Sequence, residues 1–470
     1  MSSNEPGRPA PLPRPSVREW IAVFVTGSAF FMTVLDTSIV NLALPVVARD
    51  LQLSLVGLQW VVDGYTMVFA SFLLGAGALG DRYGAKRLFL AGLALFAFAS
   101  GFCVLAQGSM TLQVARLLQG LGAAMLLPAS LAVLSHTVKD PKRRMRAISA
   151  WAAAGALGMA LGPVIGGISV EFFGWRSIFA INIPVGFVGF WLAFRHLDDI
   201  PAGRRGRFDL LGQAFAVLSL CALTYTLIQS NHDGLIASTT ICSAILFIAG
   251  TTAFLLTEAF AKEPMLPLGF FRFQGFGSTA AVGLLHNIGI YGLIFVLSIS
   301  FQQLRHAGPL VAGLMFLPLT GALAAGTRIG SKLLQAYGPA WVLVGGHLAA
   351  SIGALAGAVL GVTEDQTLLS IALVAIGLGA GVTTPAMSVS ILDSVDRSHS
   401  GLASGLLNAA RQTGSVIGVA VLGALVEEPA TASGTRAALF AAAIALAAAA
   451  IVALWRATQE IPLAAMSKNP

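Results

Sequence analysis

From Trp20 to Trp455 the chain is built almost entirely from apolar runs of bilayer-crossing length, separated by short polar joints. An apolar run of about 17 to 25 residues must close its backbone hydrogen bonds on itself when placed in lipid, and an α-helix does so. The runs fall near 20–47, 56–79, 87–107, 111–136, 147–170, 177–195, 209–229, 237–259, 275–303, 309–330, 341–362, 367–392, 401–426 and 436–456. The period-two alternation of a membrane β-barrel is absent. Charged residues make up only 10% of the chain, against about 25% in a soluble domain. The expected fold class is an all-α polytopic membrane protein with about fourteen helices.

The loop charges provide an independent check on that count. With the N-terminus on the cytoplasmic side, alternate connections hold Arg82, Lys86 and Arg87, then Lys139, Lys142, Arg143, Arg144 and Arg146, then Arg204, Arg205 and Arg207. Only Arg49, Arg176, Arg305 and Arg436 fall outside, with Arg116 and Arg411 inside spans. Basic residues concentrate on the cytoplasmic side of membrane proteins, so both termini are expected there. The net charge of +7 is dealt out along the chain rather than gathered into one patch, which argues against a nucleic-acid partner. Arg8, Arg14 and Arg18 precede a first run that continues to Val47, longer than a signal-peptide core, so it reads as an uncleaved first span.

Two stretches repeat. GLGAAMLLPAS at Gly120 to Ser130 returns as GLGAGVTTPAM at Gly377 to Met387, with Pro128 and Pro385 in register. Duplicated apolar halves are the mark of a secondary transporter. The expected division is a disordered tail over 1–19, a six-helix bundle over 20–196, a linker with two extra helices over 197–272, a second six-helix bundle over 273–457, and a tail over 458–470.

No long loop could house a soluble catalytic domain. Cys103, Cys221 and Cys242 lie in apolar runs without CxxC spacing, and His136, His232, His286 and His306 match no ligand spacing. No G-x-x-x-x-G-K-[ST] phosphate loop occurs. Catalytic residues, a metal, an organic cofactor and direct use of ATP are therefore not expected.

Three constellations stand out. Between the second and third runs lies GALGDRYGAKR, where Gly80 and Gly84 permit a tight turn and Asp81 stands among Arg82, Lys86 and Arg87. Opposite charges there can latch neighbouring helix ends in one conformation and release them in another; a plain topology anchor explains the basic residues but not Asp81. In the fifth run Gly155, Gly158, Gly162 and Gly166 share one face, with Pro163 and Gly167 completing G-x-x-x-G-P-x-x-G-G. Small residues at that spacing let helix backbones approach closely, and the proline removes a donor.

The third constellation is ionisable residues inside the bilayer, which are costly and so informative. Asp36 lies in LDTSIVNLALP, Asp63 in QWVVDGYTM, Arg116 on one face with Gln119, and Arg411 in NAARQTG near Asn408 and Gln412. Asp36 and Arg116 read either as a working pair or as a static structural one.

The turn motif, beginning at Gly77 and spanning Gly77, Asp81, Arg82, Gly84, Lys86 and Arg87, resembles the loop signature of the major facilitator superfamily, with Ala85 where a basic residue is common. Its second-half counterpart, LLQAYGPAW, keeps Tyr337 and Gly338 but has Gln335 opposite Asp81. The fifth run resembles the antiporter motif of drug-exporting members. Together with GWRSIFAINIPVG, these segments resemble the fourteen-helix drug:proton antiporters over nearly the whole chain. The resemblance implies two six-helix bundles around a cavity opened alternately to each side, in a bacterial inner membrane, with small molecules, protons and lipid as partners and a monomeric state. It further implies Asp36 as proton carrier, Arg116 as its counter-charge, and Asp63 as a second proton or cation site. Trp60, Tyr65, Met67, Gln119, Met125, Asn408, Arg411 and Gln412 are expected to line the cavity, although packing explains Trp60, Tyr65, Met67 and Met125 equally well. Export of amphipathic drugs, export of one self-made metabolite, and import all use such a fold; Pro163 in its motif favours export.

Overall fold

A computed structural model describes residues 16–199, 209–262, 264–273, 275–361, 365–396, 399–426 and 429–466. Among them all regular structure is helical: α1 (Val17–Leu51), α2 (Leu55–Tyr83), α3 (Ala85–Val104), α4 (Ser109–Thr137), α5 (Pro141–Phe173), α6 (Ser177–Ala180), α7 (Asn182–His196), α8 (Leu210–Asp233), α9 (Ser238–Phe260), α10 (Phe276–Gln303), α11 (Pro309–Met315), α12 (Leu317–Ala356), α13 (Gln366–Asp393), α14 (Ser400–Ala424) and α15 (Ala432–Met466). Short side chains start many of them. Ser16 and Glu19 cap α1 reciprocally, at 3.2 and 3.0 Å, and Asp140 caps α5 ahead of Pro141.

The ends differ from the sequence expectation. The capping box starts α1 at Val17, so residues 16–19 are ordered, and residues 1–15 of the expected tail lie outside the described residues. Helix α15 runs on to Met466, shortening the expected C-terminal tail; 467–470 are outside the description. Arg204, Arg205 and Arg207 of the linker are outside it too.

Twelve stretches are long and apolar enough to cross a membrane. The longest, Pro309–Leu360, is two spans broken at Gly338, whose φ of 75° no other residue type adopts readily. Helix α14, with Ser404, Asn408, Arg411 and Gln412, completes fourteen. Gly84, with φ of 93°, makes the corresponding turn between α2 and α3.

The repeat is visible in the packing. A Cβ on Gly120 of α4 would strike the Tyr65 carbonyl of α2, and one on Gly377 of α13 would strike the Leu319 carbonyl of α12. Gly122 meets the Phe96 backbone of α3, and Gly379 meets Ala350. Gly158 of α5 meets Phe31 of α1, and Gly414 of α14 meets Leu284 of α10. These three close approaches in the first half each have a partner in the second.

The buried apolar residues form three clusters. One spans both halves at the end where α1 finishes, here termed the far end, and includes Ile39, Leu42, Phe179, Phe295, Phe316, Leu373 and Leu422. At the near end the clusters are separate: one around Phe69, Phe89, Phe96 and Leu134, the other around Phe276, Val342, Met387 and Leu406. Far-end hydrogen bonds add to the join, with Ser298 donating to the Asn41 carbonyl and Gln302 to the Leu42 carbonyl at 2.9 Å. The halves thus share one core at the far end, while at the near end their cores are separate and meet through α2 and α14, with Leu74 packed on the second-half cluster and Ala409 on the first. Helices α8 and α9 stand at the periphery, α8 against both α2 and α14, with Gln213 donating to the Ser71 carbonyl at 2.8 Å.

Candidate functional site

Asp36 of α1 is 1% exposed, and so is Arg116 of α4. Arg116 Nη1 donates to Asp36 Oδ2 at 2.5 Å and to Gln119 Oε1 at 2.8 Å, while its Nε donates to the Val61 carbonyl at 3.0 Å. Asn182 Nδ2 donates to the other carboxylate oxygen at 3.0 Å. Gln119 Nε2 donates to Ser100 Oγ at 2.8 Å, and Cys103 Sγ to Gln119 Oε1 at 3.3 Å. The guanidinium also lies 4.4 Å from the Tyr65 ring centroid and 5.8 Å from that of Phe179. A buried pair is tolerated when its remaining lone pairs and protons find partners, and here both carboxylate oxygens and the Nε and Nη1 donors of Arg116 do. The network ties α1, α3, α4 and α7 and is closed to solvent in this conformation.

Asp36 and Arg116, expected as a pair, are in contact here, and Gln119, expected to line the cavity, is bonded to Arg116 instead; Asn182, Ser100 and Cys103 were not anticipated. Asn182 opens α7 inside the quoted segment GWRSIFAINIPVG; a buried asparagine in an apolar run was the available signal.

Asp63 is fully buried on α2, and neither carboxylate oxygen has a hydrogen-bond partner among the described residues. One turn away on the same face, Gln59 donates to the Val419 and Ala420 carbonyls of α14, both at 3.3 Å. Asp63 is therefore placed by α2 toward the opposite half, apart from the Asp36 network.

The expected cavity residues divide. Asn408, Arg411 and Gln412 are half-buried on α14. Tyr65 is not a cavity residue here: it is 0% exposed, packed on Phe69 and Phe96 beneath Arg116, with its hydroxyl donating to the Thr33 carbonyl. Gln119 is likewise enclosed in the Asp36 network. Trp60 turns outward against Tyr225 of α8, with ring centroids 6.3 Å apart. Met67 is buried, and Met125 packs on the near-end core with its Cβ beside Gly92 of α3. For Trp60, Tyr65, Met67 and Met125 the packing alternative describes this conformation, because large side chains on α2 and α4 complete the first half's own core. An apolar groove of about 440 Å³ along Leu333, Tyr337, Trp341 and Val382 lies on the near-end surface of α12 and α13, away from all of these groups.

The glycine motif of α5 faces two ways. Gly155, Gly158, Gly162 and Gly166 pack on α1, where a Cβ on Gly158 would lie 2.7 Å from the Phe31 carbonyl oxygen and one on Gly166 2.7 Å from Ile39 Cγ1. A Cβ on Gly162 would run into the Ser38 hydroxyl, two residues from Asp36. Gly167 instead meets α11 of the other half, where a Cβ would lie 2.8 Å from the Pro309 carbonyl oxygen, and a Cβ on Gly313 would strike the Pro163 carbonyl. One motif thus sets both the helix that carries Asp36 and the far-end join.

At the near-end turn Asp81 is exposed and makes no ion pair among the described residues. Arg82 stacks on Tyr83, and Arg87 is exposed. Lys86 reaches the end of α7, donating to the Leu197 carbonyl at 2.6 Å and pairing with Asp199 at 3.4 Å. Gly77 has open space around it, so no close approach requires a glycine there in this conformation. Asp81 therefore holds no neighbouring helix end among the described residues in this conformation. Asp81→Asn is accordingly expected to leave the thermal stability of this conformation unchanged within about 0.5 kcal/mol, as for an exposed unpaired group, while slowing turnover through the state in which the latch is made. Normal turnover at normal expression would reduce the turn to a topology signal.

The profile of the Major Facilitator Superfamily matches residues 26–419 and 279–468. The methylenomycin A resistance protein of Bacillus subtilis is 34% identical over 411 residues, covering 87% of this chain and 88% of that protein. The drug efflux pump JefA of Mycobacterium tuberculosis is 33% identical, with 87% of this chain and 80% of the relative covered. The tetracenomycin C resistance and export protein of Streptomyces glaucescens is 31% identical over 87% of this chain and 76% of its own length. Among solved structures the human organic anion transporter MFSD10 superposes with a TM-score of 0.64 at 14% identity, over 94% of this chain and 100% of that one, a likeness of fold.

Proposed function

The chain belongs to the Major Facilitator Superfamily, and from that premise we propose that it exports amphipathic compounds from the bacterial cytoplasm in exchange for protons, by alternating access. The observation that carries the reading is the division of the core: one cluster joins the halves at the far end, and two separate clusters face each other at the near end. With both termini cytoplasmic, the conformation faces inward. Asp81 at the near end, without an ion pair among the described residues, supports the same assignment, as do the half-buried Asn408, Arg411 and Gln412 on α14.

In this reading Asp36 takes a proton when substrate binding or closure opens its network, and Arg116 holds the carboxylate ionised until then. Both carboxylate oxygens accept hydrogen bonds, one from Arg116 and one from Asn182, which supports this reading. Rearrangement of α1 against α5 along the glycine seam would expose the pair. Asp63, buried without a partner, receives a cationic substrate group or a second proton.

Two relatives are named for single antibiotics, which supports a dedicated exporter as the second reading. A survival screen of an efflux-deficient host across cationic dyes and antibiotics separates the two: protection against many unrelated compounds supports broad export, and protection against one supports the dedicated reading. Uptake rather than efflux in everted-vesicle flux assays with the orientation controlled would reverse the direction. In the same assay Asp63→Asn is expected to lower transport of cationic substrates about tenfold or more while sparing neutral ones, the scale of a lost charge contact worth about 1.4 kcal/mol. Equal loss for both classes would remove Asp63 from substrate recognition.

A further inference from the structure

The second half has no acid opposite Asp36. The register of the paired glycine contacts places Gly289 opposite Asp36 and Leu373 opposite Arg116. Its own buried polar cluster sits at the same three-helix junction, with α10, the second part of α12 and α13 standing where α1, α3 and α4 stand in the first half. There His286 Nδ1 lies 3.2 Å from His347 Nε2, with the rings at right angles, and Thr383 Oγ1 lies 3.5 Å from His286 Nδ1. His286 is 4% exposed and His347 is 0% exposed.

The hydrogen bonds fix the tautomers. His347 Nδ1 lies 2.8 Å from the Leu343 carbonyl oxygen, which accepts only, so that nitrogen carries the proton and Nε2 of the neutral ring is an acceptor. His286 must then donate from Nδ1 to His347 Nε2. The Thr383 hydroxyl donates to the Ala380 carbonyl at 2.9 Å, leaving its oxygen to accept. His286 Nε2 keeps its lone pair, the one ring nitrogen of the pair without a hydrogen bond among the described residues.

We propose that His286 and His347 form a second proton-binding site, in the C-terminal half, that takes up a single proton on His286 Nε2. The incoming proton forms an N–H bond from that lone pair, and nothing leaves. The existing Nδ1–H donor to His347 becomes charge-assisted and therefore stronger. A second proton would have to occupy His347 Nε2, directly facing the His286 N–H, and would break the bond that holds the pair. Two rings thus bind one proton.

The charged group facing the pair is Arg411 of α14, whose field reaches His286. Its Nε donates to Asn287 Oδ1 at 3.4 Å, and Tyr291 lies on its other side along α10. Helix α13 presents Thr383, and Arg456 of α15 is held nearer the end of α10 by Thr279 and Ser390. At the opposite end α1 meets α10 through the Asn41 carbonyl and Ser298. Protonation places an imidazolium beside the guanidinium, and like charges in a low-dielectric interior repel. The proton is thereby sensed by α14, the helix that carries Asn408, Arg411 and Gln412.

Proton binding is separable from transport; only its coupling to export rests on the proposed function. The full chain, labelled with nitrogen-15 histidine and purified in detergent, has seven histidines, and His286→Gln and His347→Gln assign the pair's signals. Titrated from about pH 8 to about pH 4, both rings are expected to shift together in one step that accounts for one proton. Two independent steps, or no change in either ring while the fold persists, overturns the proposal. His347→Gln keeps an acceptor for His286 and should retain the step, whereas His347→Leu should lose or displace it by about one pH unit, tenfold in proton affinity; an unmoved step in His347→Leu also overturns it. Asp36→Asn should titrate like the parent at this pair even if export fails.

Discussion

Asp36→Asn is expected to insert, fold and bind substrate, and to release no proton when it does so. The amide keeps one oxygen to accept from Arg116, and its NH2 takes the place of the oxygen that accepted from Asn182, so the network keeps its shape only if the Asn182 amide turns its own oxygen toward it. What disappears is the only carboxylate among the described residues that pairs with the guanidinium. Breaking a buried ion pair from one side costs about 3–5 kcal/mol. Here the cost is tempered, because Arg116 retains the Val61 carbonyl, Gln119 and the Tyr65 and Phe179 rings. A lowered but cooperative thermal transition is therefore expected, together with loss of proton-driven export. Arg116→Ala should also stop active transport, for a different reason: the acid remains but has lost the charge that lets it ionise. The two separate in detergent, where a pH-sensitive dye follows substrate-induced release. Asp36→Asn should abolish that signal, and Arg116→Ala should alter it without making the carboxyl chemically incapable of it. Persistent proton-coupled efflux in Asp36→Asn would move the coupling site to Asp63.

The second large effect concerns the two faces of α5. Gly162→Leu drives a side chain into Ser38 where a single Cβ already collides, so α1 and α5 must part along the Gly155–Gly166 seam. Overpacking costs about 1–3 kcal/mol and often more, and here it displaces the helix that holds Asp36. Low expression or a depressed unfolding temperature is expected, with no transport. Gly167→Leu is its contrast. That residue contacts Pro309 and Leu310 of the other half, so each half can still form while the far-end join cannot close. Stability close to the parent, with spin labels across the far end moving apart, is the expected result. Comparable unfolding temperatures for Gly162→Leu and the parent would remove the close-packing account.

The sequence made the membrane architecture legible because run length and loop charge are direct records of what lipid and topology require. Apolar length gave all fourteen spans, even α14, the one that Asn408, Arg411 and Gln412 make least apolar. Gly338 was legible through its match to Gly84. The Asp36–Arg116 pair was legible because unpaired intramembrane charge is prohibitive, so each residue implied the other. Asn182 and the His286–His347 pair were less so: a neutral polar side chain raises no comparable alarm, and residues 61 positions apart meet only through helix packing. The direction of the α2 side chains was not legible either. Trp60 and Tyr65 flank Asp63 in sequence, yet one turns to α8 and the other beneath Arg116, because the helix distributes neighbours around its circumference.

Helix α8 lies along α2 and α14, where the two halves meet on one flank, and Gln213 fastens it to α2. On the other flank α5 touches the opposite half through Pro163, Gly167 and Glu171, all toward the far end. The molecule therefore has a spine and a fore-edge, like a book opened toward the near end. Acyl chains, and any amphipathic solute dissolved among them, meet a wall of extra helices on the spine and a parting between pages on the fore-edge, so the two sides of the protein are not equivalent to a compound arriving from within the leaflet.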